Sequence, residues 1–282
     1  MGLSWPHERI DENGTPSSFH IRGAGRIHAG LHDGTPELIK FLVALEREAD
    51  PLDRLKRIKI QLYRDDAGEE PISGAIPGLK WIAFETEQEG KRYCLHDGSW
   101  YLMDQQYAKK LKQQVQAIFD RGSGIELPEW PSGMDEGEYN ALVAEFLGGT
   151  LLDRQLIRTS LHRRGVEACD VLVPDGSLLH VKSVESSSPA SHLLAQALVS
   201  TDALLYDEEA RKAFRDRVGE CGGNAEHIPE PVHTVVLGIA RKGRPVRSDD
   251  LFTFTQVTLV RHVTALEGRG VKVFVSPIVR PA

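Results

Sequence analysis

Two periods of apolar residues run along the chain, and the switches between them mark its elements. Thr35-Pro36-Glu37 offers a cap, a proline at the first helical position and an acid in the first turn. Leu38, Phe41, Leu42 and Leu45 follow at helical spacing, which predicts a helix over 36–48. Residues 57–63 and 81–85 alternate and predict strands. Residues 91–95 and 99–102 predict a hairpin around His96-Asp97-Gly98. Asp104 caps a helix running to about Phe119. A second region begins with a helix from Asp135 through Tyr139, Leu142, Val143 and Phe146. Strands are expected at 151–159, 166–173 and 177–184, helices at 189–206 and 207–218, a strand at 234–240, a helix at 252–267 and a strand at 271–278. The order predicts an α/β protein: a mixed sheet flanked by helices, preceded by a small α+β domain.

Composition changes this picture little. The 282 residues suggest two domains and can bury a sizeable core without a disulfide or metal staple. Residues 121–134 hold three glycines and two prolines, so the boundary is placed there: an N-terminal α+β domain over 1–130 and a second domain over 131–282. Apolar residues make up 40% and no run reaches the roughly 18 needed for a membrane span. No secretory leader is visible, and Cys94, Cys169 and Cys221 form no CxxC pair, so a cytoplasmic protein with reduced thiols is expected. The net charge of −7 argues against non-specific coating of nucleic acid, though not against a local basic patch.

Candidate chemistry gathers on the hairpin 166–184. Val173-Pro174-Asp175-Gly176-Ser177 suits a type I turn with glycine left-handed, which pairs Val173 with Ser177. Asp170 then falls opposite His180, and Lys182 shares that face. A two-residue loop at Asp175-Gly176 would instead set Asp170 opposite Val181. A carboxylate can hold Mg²⁺ or Mn²⁺, with His180 completing or replacing the second ligand, and a lysine can neutralise charge on phosphate oxygens. Solvated polar residues on a sheet edge are the bland alternative. Glu167 alternates to the opposite strand face and is expected outside the cluster.

The succession of strand-Asp170, turn, strand-His180-x-Lys182 and glutamine-bearing helix resembles the PD-(D/E)XK nuclease superfamily, with its restriction-endonuclease-like fold. The resemblance implies a metal aspartate at Asp170, a catalytic lysine at Lys182, a supporting glutamine at Gln196 and a first-helix glutamate at Glu138. Glu138 also completes a capping box with Asp135. His180 stands where the superfamily has Asp or Glu, Cys169 where it has proline, and Ser200 where a RecB-like pattern has tyrosine. A second likeness covers more of the chain. Residues 152–157, 165–172, His180-Val181-Lys182, 191–196, 95–101 and 138–140 are similar to the bacterial family called "sporadically distributed protein", which implies a place in defence islands.

Two basic tracts flank the cluster: Arg158, Arg163 and Arg164 before the Asp170 strand, and Arg241, Lys242 and Arg244 after the next one. Arginine forks suit phosphates, so a locally positive site is expected. The leading expectation is a nuclease dependent on Mg²⁺ or Mn²⁺, acting on nucleic acid with DNA before RNA, and dimeric as this fold often is. A catalytically degenerate nucleic-acid-binding module and a protein-interaction scaffold of a defence system are the alternatives.

Overall fold

The computed structural model describes residues 2–3, 16–23, 30–33, 36, 50–162, 165–184 and 187–281. The expected helix 36–48 lies outside them but for its first residue. The protein is a mixed α/β structure with several sheets, no barrel and six α-helices among the described residues. It divides into two compact units, Met1–Gln105 with Ser186–Ser188, and Gln106–Glu185 with Pro189–Ala282.

The first unit carries two four-stranded sheets. β1 (Gly2–Leu3), β6 (Ile82–Gln88), β7 (Lys91–His96) and β8 (Ser99–Met103) form one in the order β1-β6-β7-β8. β2 (Ser18–Arg22), β3 (Gly30–Asp33), β4 (Lys59–Tyr63) and β5 (Ile76–Pro77) form the other in the order β3-β2-β4-β5. Helix α1 (Pro51–Arg57), capped by the Asp50 side chain, precedes β4 and was not expected from the sequence. Phe19, Ile58, Ile60, Leu62 and Trp81 lie in one buried cluster. The predicted hairpin is present, turning through Asp97 and Gly98, both at positive φ, and Lys80 Nζ closes on the Asp97 carboxylate at 3.0 Å.

The second unit contains α2 (Gln105–Phe119) beyond its first residue, α3 (Glu136–Leu147), α4 (Ser187–Tyr206), α5 (Glu208–Glu220) and α6 (Thr253–Glu267). Its main sheet runs β15 (Lys272–Arg280), β14 (Thr234–Lys242), β13 (Leu178–Ser183), β12 (Val171–Leu172), β9 (Thr150–Leu151). β13, β14 and β15 are parallel; β12 and β9 are antiparallel additions. Alternation along β14 sends Val235, Leu237 and Ile239 to one face, with residues of α2, α4, α5 and α6 in the same cluster. Val236 and Ala240 go to the other, with Trp130 and Tyr139 and Val143 of α3. Apolar runs buried on both faces are what parallel strands require.

The Gly/Pro-rich stretch before α3 is not the boundary, which falls near residue 105 rather than 130. Its middle is locked into the core of the second unit. Trp130 is fully buried, its N–H donates to Val279 O at 2.8 Å, and its ring stacks on Tyr139 at 4.2 Å with Arg280 over it at 4.6 Å. Prolines and glycines here shape a segment that covers one sheet face; they do not link domains.

Candidate metal centre

The hairpin register follows from its turn. Val173 N–H donates to Ser177 O at 3.0 Å, Gly176 takes the left-handed conformation, and Val171 and Leu172 oppose Leu179 and Leu178. The ladder then fails one residue early. Asp170 N–H turns to Leu179 O at 3.0 Å, so Asp170 and Val171 both face one residue, the pattern of a bulge. The bulge moves the Asp170 carboxylate off His180: its Oδ2 accepts the Val181 N–H at 2.6 Å.

The same break brings in two acids. At the C-terminus of α3, Gly149 meets β12 so closely that a Cβ would lie 2.7 Å from Leu172 O. β9 pairs there and the chain turns at Asp153-Arg154, with Arg154 held at φ 59° and Gln155 N–H donating to Leu152 O at 2.9 Å. β10 (Leu156–Ile157) and β11 (Val166–Glu167) then form a separate short hairpin, so the expected long strands 151–159 and 166–173 are each broken in two. Asp153 in the turn, Glu167 ending β11 and Asp170 at the bulge converge, with ligating oxygens all within 4.8 Å of one another.

Neighbouring side chains and one backbone N–H surround this trio. Gln196 Nε2 of α4 donates to Glu167 Oε2 at 2.6 Å, and the Arg154 N–H donates to Glu167 Oε1. Lys182 Nζ pairs with Glu136 Oε1 at 2.5 Å. Burial raises the carboxyl pKa of Asp153, pushes Glu167 up to about 7 and takes Asp170 well above its usual range; mutual repulsion between the acids adds to it. Burial alone would pull Lys182 down, but Glu136, Asp170 and Glu167 together outweigh it and hold the ammonium charged.

The sequence expectations divide. Asp170, Lys182 and Gln196 are brought together as expected. His180 is not among them. It is fully buried on β13, neither ring nitrogen has a hydrogen-bond partner among the described residues, and burial pushes its pKa down to about 3. The bulge explains the miss, because it ends the opposition that would have joined His180 to Asp170. Glu138 serves the helix cap: its N–H donates to Asp135 Oδ1 at 2.8 Å and its Oε2 accepts the Asp135 N–H at 2.9 Å. Glu136, two residues earlier, is the α3 acid that meets Lys182. Glu167, expected outside, lies inside because the strand breaks between it and Asp170. Asp153 was missed. Its signal was a polar residue after Gly148-Gly149, in a segment too short to be one strand.

The centre is acidic rather than locally positive. Arg241 and Arg244 both pair with Asp250, holding its carboxyl below the usual range, so their charge is answered within the protein. Lys242 opposes Arg280 at the carboxyl ends of β14 and β15. Arg163 and Arg164 lie outside the described residues. Arg158 is exposed beside α5. No helix among the described residues is long and apolar enough to cross a membrane.

Three carboxyl oxygen donors, beside a half-buried lysine and a glutamine that positions one acid, could hold a metal ion. No curated protein and no solved structure matches the chain. A family model does match, over residues 1–279, and the chain belongs to that family, DUF6119, a family of unknown function.

Proposed function

We propose that this protein is a nuclease dependent on a divalent cation, hydrolysing phosphodiester bonds of nucleic acid. The observation that carries the reading is the convergence of Asp153, Glu167 and Asp170 beside Lys182. Asp153, Glu167 and Asp170 would hold Mg²⁺ or Mn²⁺, which when bound would polarise a phosphodiester and promote attack by water. Lys182 keeps its charge because Glu136 and the acidic trio surround it, so it can neutralise charge growing on phosphate oxygens. Gln196 fixes the Glu167 carboxylate in one orientation. The Val181 N–H does the same for Asp170.

The order α3, β9, β12, β13, α4, β14 supports a restriction-endonuclease-like core. The PD-(D/E)XK resemblance places an acid two residues before the lysine, where this chain has His180. On our reading Glu167 supplies that missing carboxylate from the neighbouring hairpin, so the substitution at 180 does not remove activity. Lys182 and Ser183 stand at the carboxyl end of β13, the end of a parallel sheet where ligands bind in open α/β folds.

The test is Mn²⁺-dependent cleavage of a panel of single- and double-stranded DNA and RNA. Asp153→Asn, Asp170→Asn and Lys182→Met should each lower cleavage by at least about 100-fold. Cleavage by Asp170→Asn at the wild-type rate would refute the proposal, and binding without cleavage by the wild type would favour the degenerate binding module.

A further inference from the structure

Beside the carboxylate trio the second unit has a groove of about 510 Å³ between the β10 segment and α5. Arg154 and Arg158 line one wall. The other is the α5 stripe that presents Asp216, Arg217 and Glu220, spaced to share one helix face. The groove joins the centre directly. Arg154 lines it, while the Arg154 backbone N–H holds Glu167 and its neighbour Asp153 belongs to the trio. Past Arg158, Ser160 N–H and Oγ donate to Glu209 Oε2 at 2.8 and 2.7 Å, tying the strand segment to the start of α5.

The walls differ in charge. Arg217 is answered by Glu220 at 2.9 Å. Among the described residues Arg154 pairs with Asp153 alone, at 3.9 Å, with its side chain 81% exposed. Arg158 is exposed and makes no ion pair among the described residues, as is Asp216. One wall therefore offers guanidinium forks that suit phosphates, and the other offers carboxylates that accept hydrogen bonds. A phosphate chain alone would be repelled by Asp216. A nucleotide laid across the groove satisfies both walls, with phosphates on the arginines and an exocyclic base amine on the acids. The volume is in the range of small-ligand clefts and suits unpaired nucleotides better than a base-paired duplex.

We infer that this groove is a subsite for single-stranded nucleic acid, in which Arg154 and Arg158 hold backbone phosphates leading to the carboxylate centre and Asp216 accepts from an amine-bearing base. The inference rests on the nuclease reading for its direction. It names the strandedness of the substrate and a preference for cytosine or adenine over thymine.

Binding is measured by fluorescence anisotropy in EDTA, so that the groove acts without a metal, with labelled dC₁₀, rC₁₀, dT₁₀ and a duplex of the same length. Wild-type protein should bind dC₁₀ or rC₁₀ more tightly than dT₁₀ and the duplex; the two cytosine probes separate DNA from RNA. Arg158→Glu should weaken cytosine-decamer binding by at least 10-fold and lower the salt slope by about one phosphate contact. Asp216→Ala should reduce the preference over dT₁₀. Lys272→Glu, the same charge change at the amino end of β15, should do neither. Equal binding by Arg158→Glu and wild type, duplex binding as tight as the single strand, or no binding of any probe would each overturn the inference. Mn²⁺ titration of the same proteins reads the other claim separately: Arg158→Glu should keep wild-type Mn²⁺ affinity, and a wild type that binds no Mn²⁺ would sink the metal reading alone.

Discussion

Glu167→Gln should stabilise the protein when no metal is bound, and should do so only above mildly acidic pH. A free glutamate titrates near 4.5, whereas burial and neighbouring acids push Glu167 up to about 7. The native state therefore holds a proton that the unfolded state has released. Stability from this site is complete below pH 4.5 and is lost as pH rises through 7. At about 1.36 kcal/mol for each pH unit across that window, the effect is limited to roughly 3 kcal/mol. Glutamine loses the charge-assisted bond from the Arg154 N–H, worth about 1 kcal/mol, while it can still accept from Gln196. The net expectation in EDTA is a gain of about 2 kcal/mol at pH 8 and almost none at pH 4. Urea denaturation of both proteins at the two pH values measures it. At 100 times its Kd for Mn²⁺ wild type gains about 2.7 kcal/mol, so the order reverses if the variant, lacking one carboxylate ligand, gains less than about 0.7 kcal/mol. A variant less stable than wild type at pH 8 in EDTA would refute the reasoning, because burial and the neighbouring acids would then not be penalising the Glu167 charge.

His180 has the opposite sign. Its pKa falls from 6.5 to about 3 on burial, so its stability is present above 6.5 and drains as pH falls towards 3, by roughly 3 kcal/mol at pH 4.5. The margin of His180→Leu over wild type in urea should therefore be larger at pH 4.5 than at pH 7; parallel pH profiles for variant and wild type would contradict this. Glu138→Ala should cost about 1 kcal/mol by opening the capping box and leave cleavage intact, as assayed by urea midpoint and oligonucleotide cleavage. Trp130→Ala should cost about 3–5 kcal/mol in urea unfolding, since its buried ring stacks on Tyr139 beneath Arg280.

The parts of the fold legible in the sequence were those set by local periodicity. The helices from Ser187, Glu208 and Thr253 and the strands from Thr234 and Lys272 all begin within two residues of their predicted starts. The 173–177 turn was legible because Gly176 alone supplies the left-handed residue it needs. What the pattern could not carry was the point where a ladder stops. Residues 166–173 are apolar enough to read as one strand, yet the chain departs after Glu167 and returns at Val171. That departure is a tertiary event, fixed by β9 pairing with β12 and by Gly149 meeting Leu172 O. It exchanges His180 for Glu167 and admits Asp153, so the candidate site was half legible: Asp170, Lys182 and Gln196 by spacing and resemblance, the other two acids not at all. The linker was misread for a related reason, because Trp130 gives that glycine-rich segment an anchor in the core.

On the proposed reading Asp153, Glu167 and Asp170 form one cation site. Anomalous diffraction from crystals soaked in Mn²⁺ tests it most directly. A manganese peak should appear bounded by these three carboxylates and be missing in Asp170→Asn crystals. A peak at His180, or none near the trio under conditions where the protein cleaves nucleic acid, would contradict it.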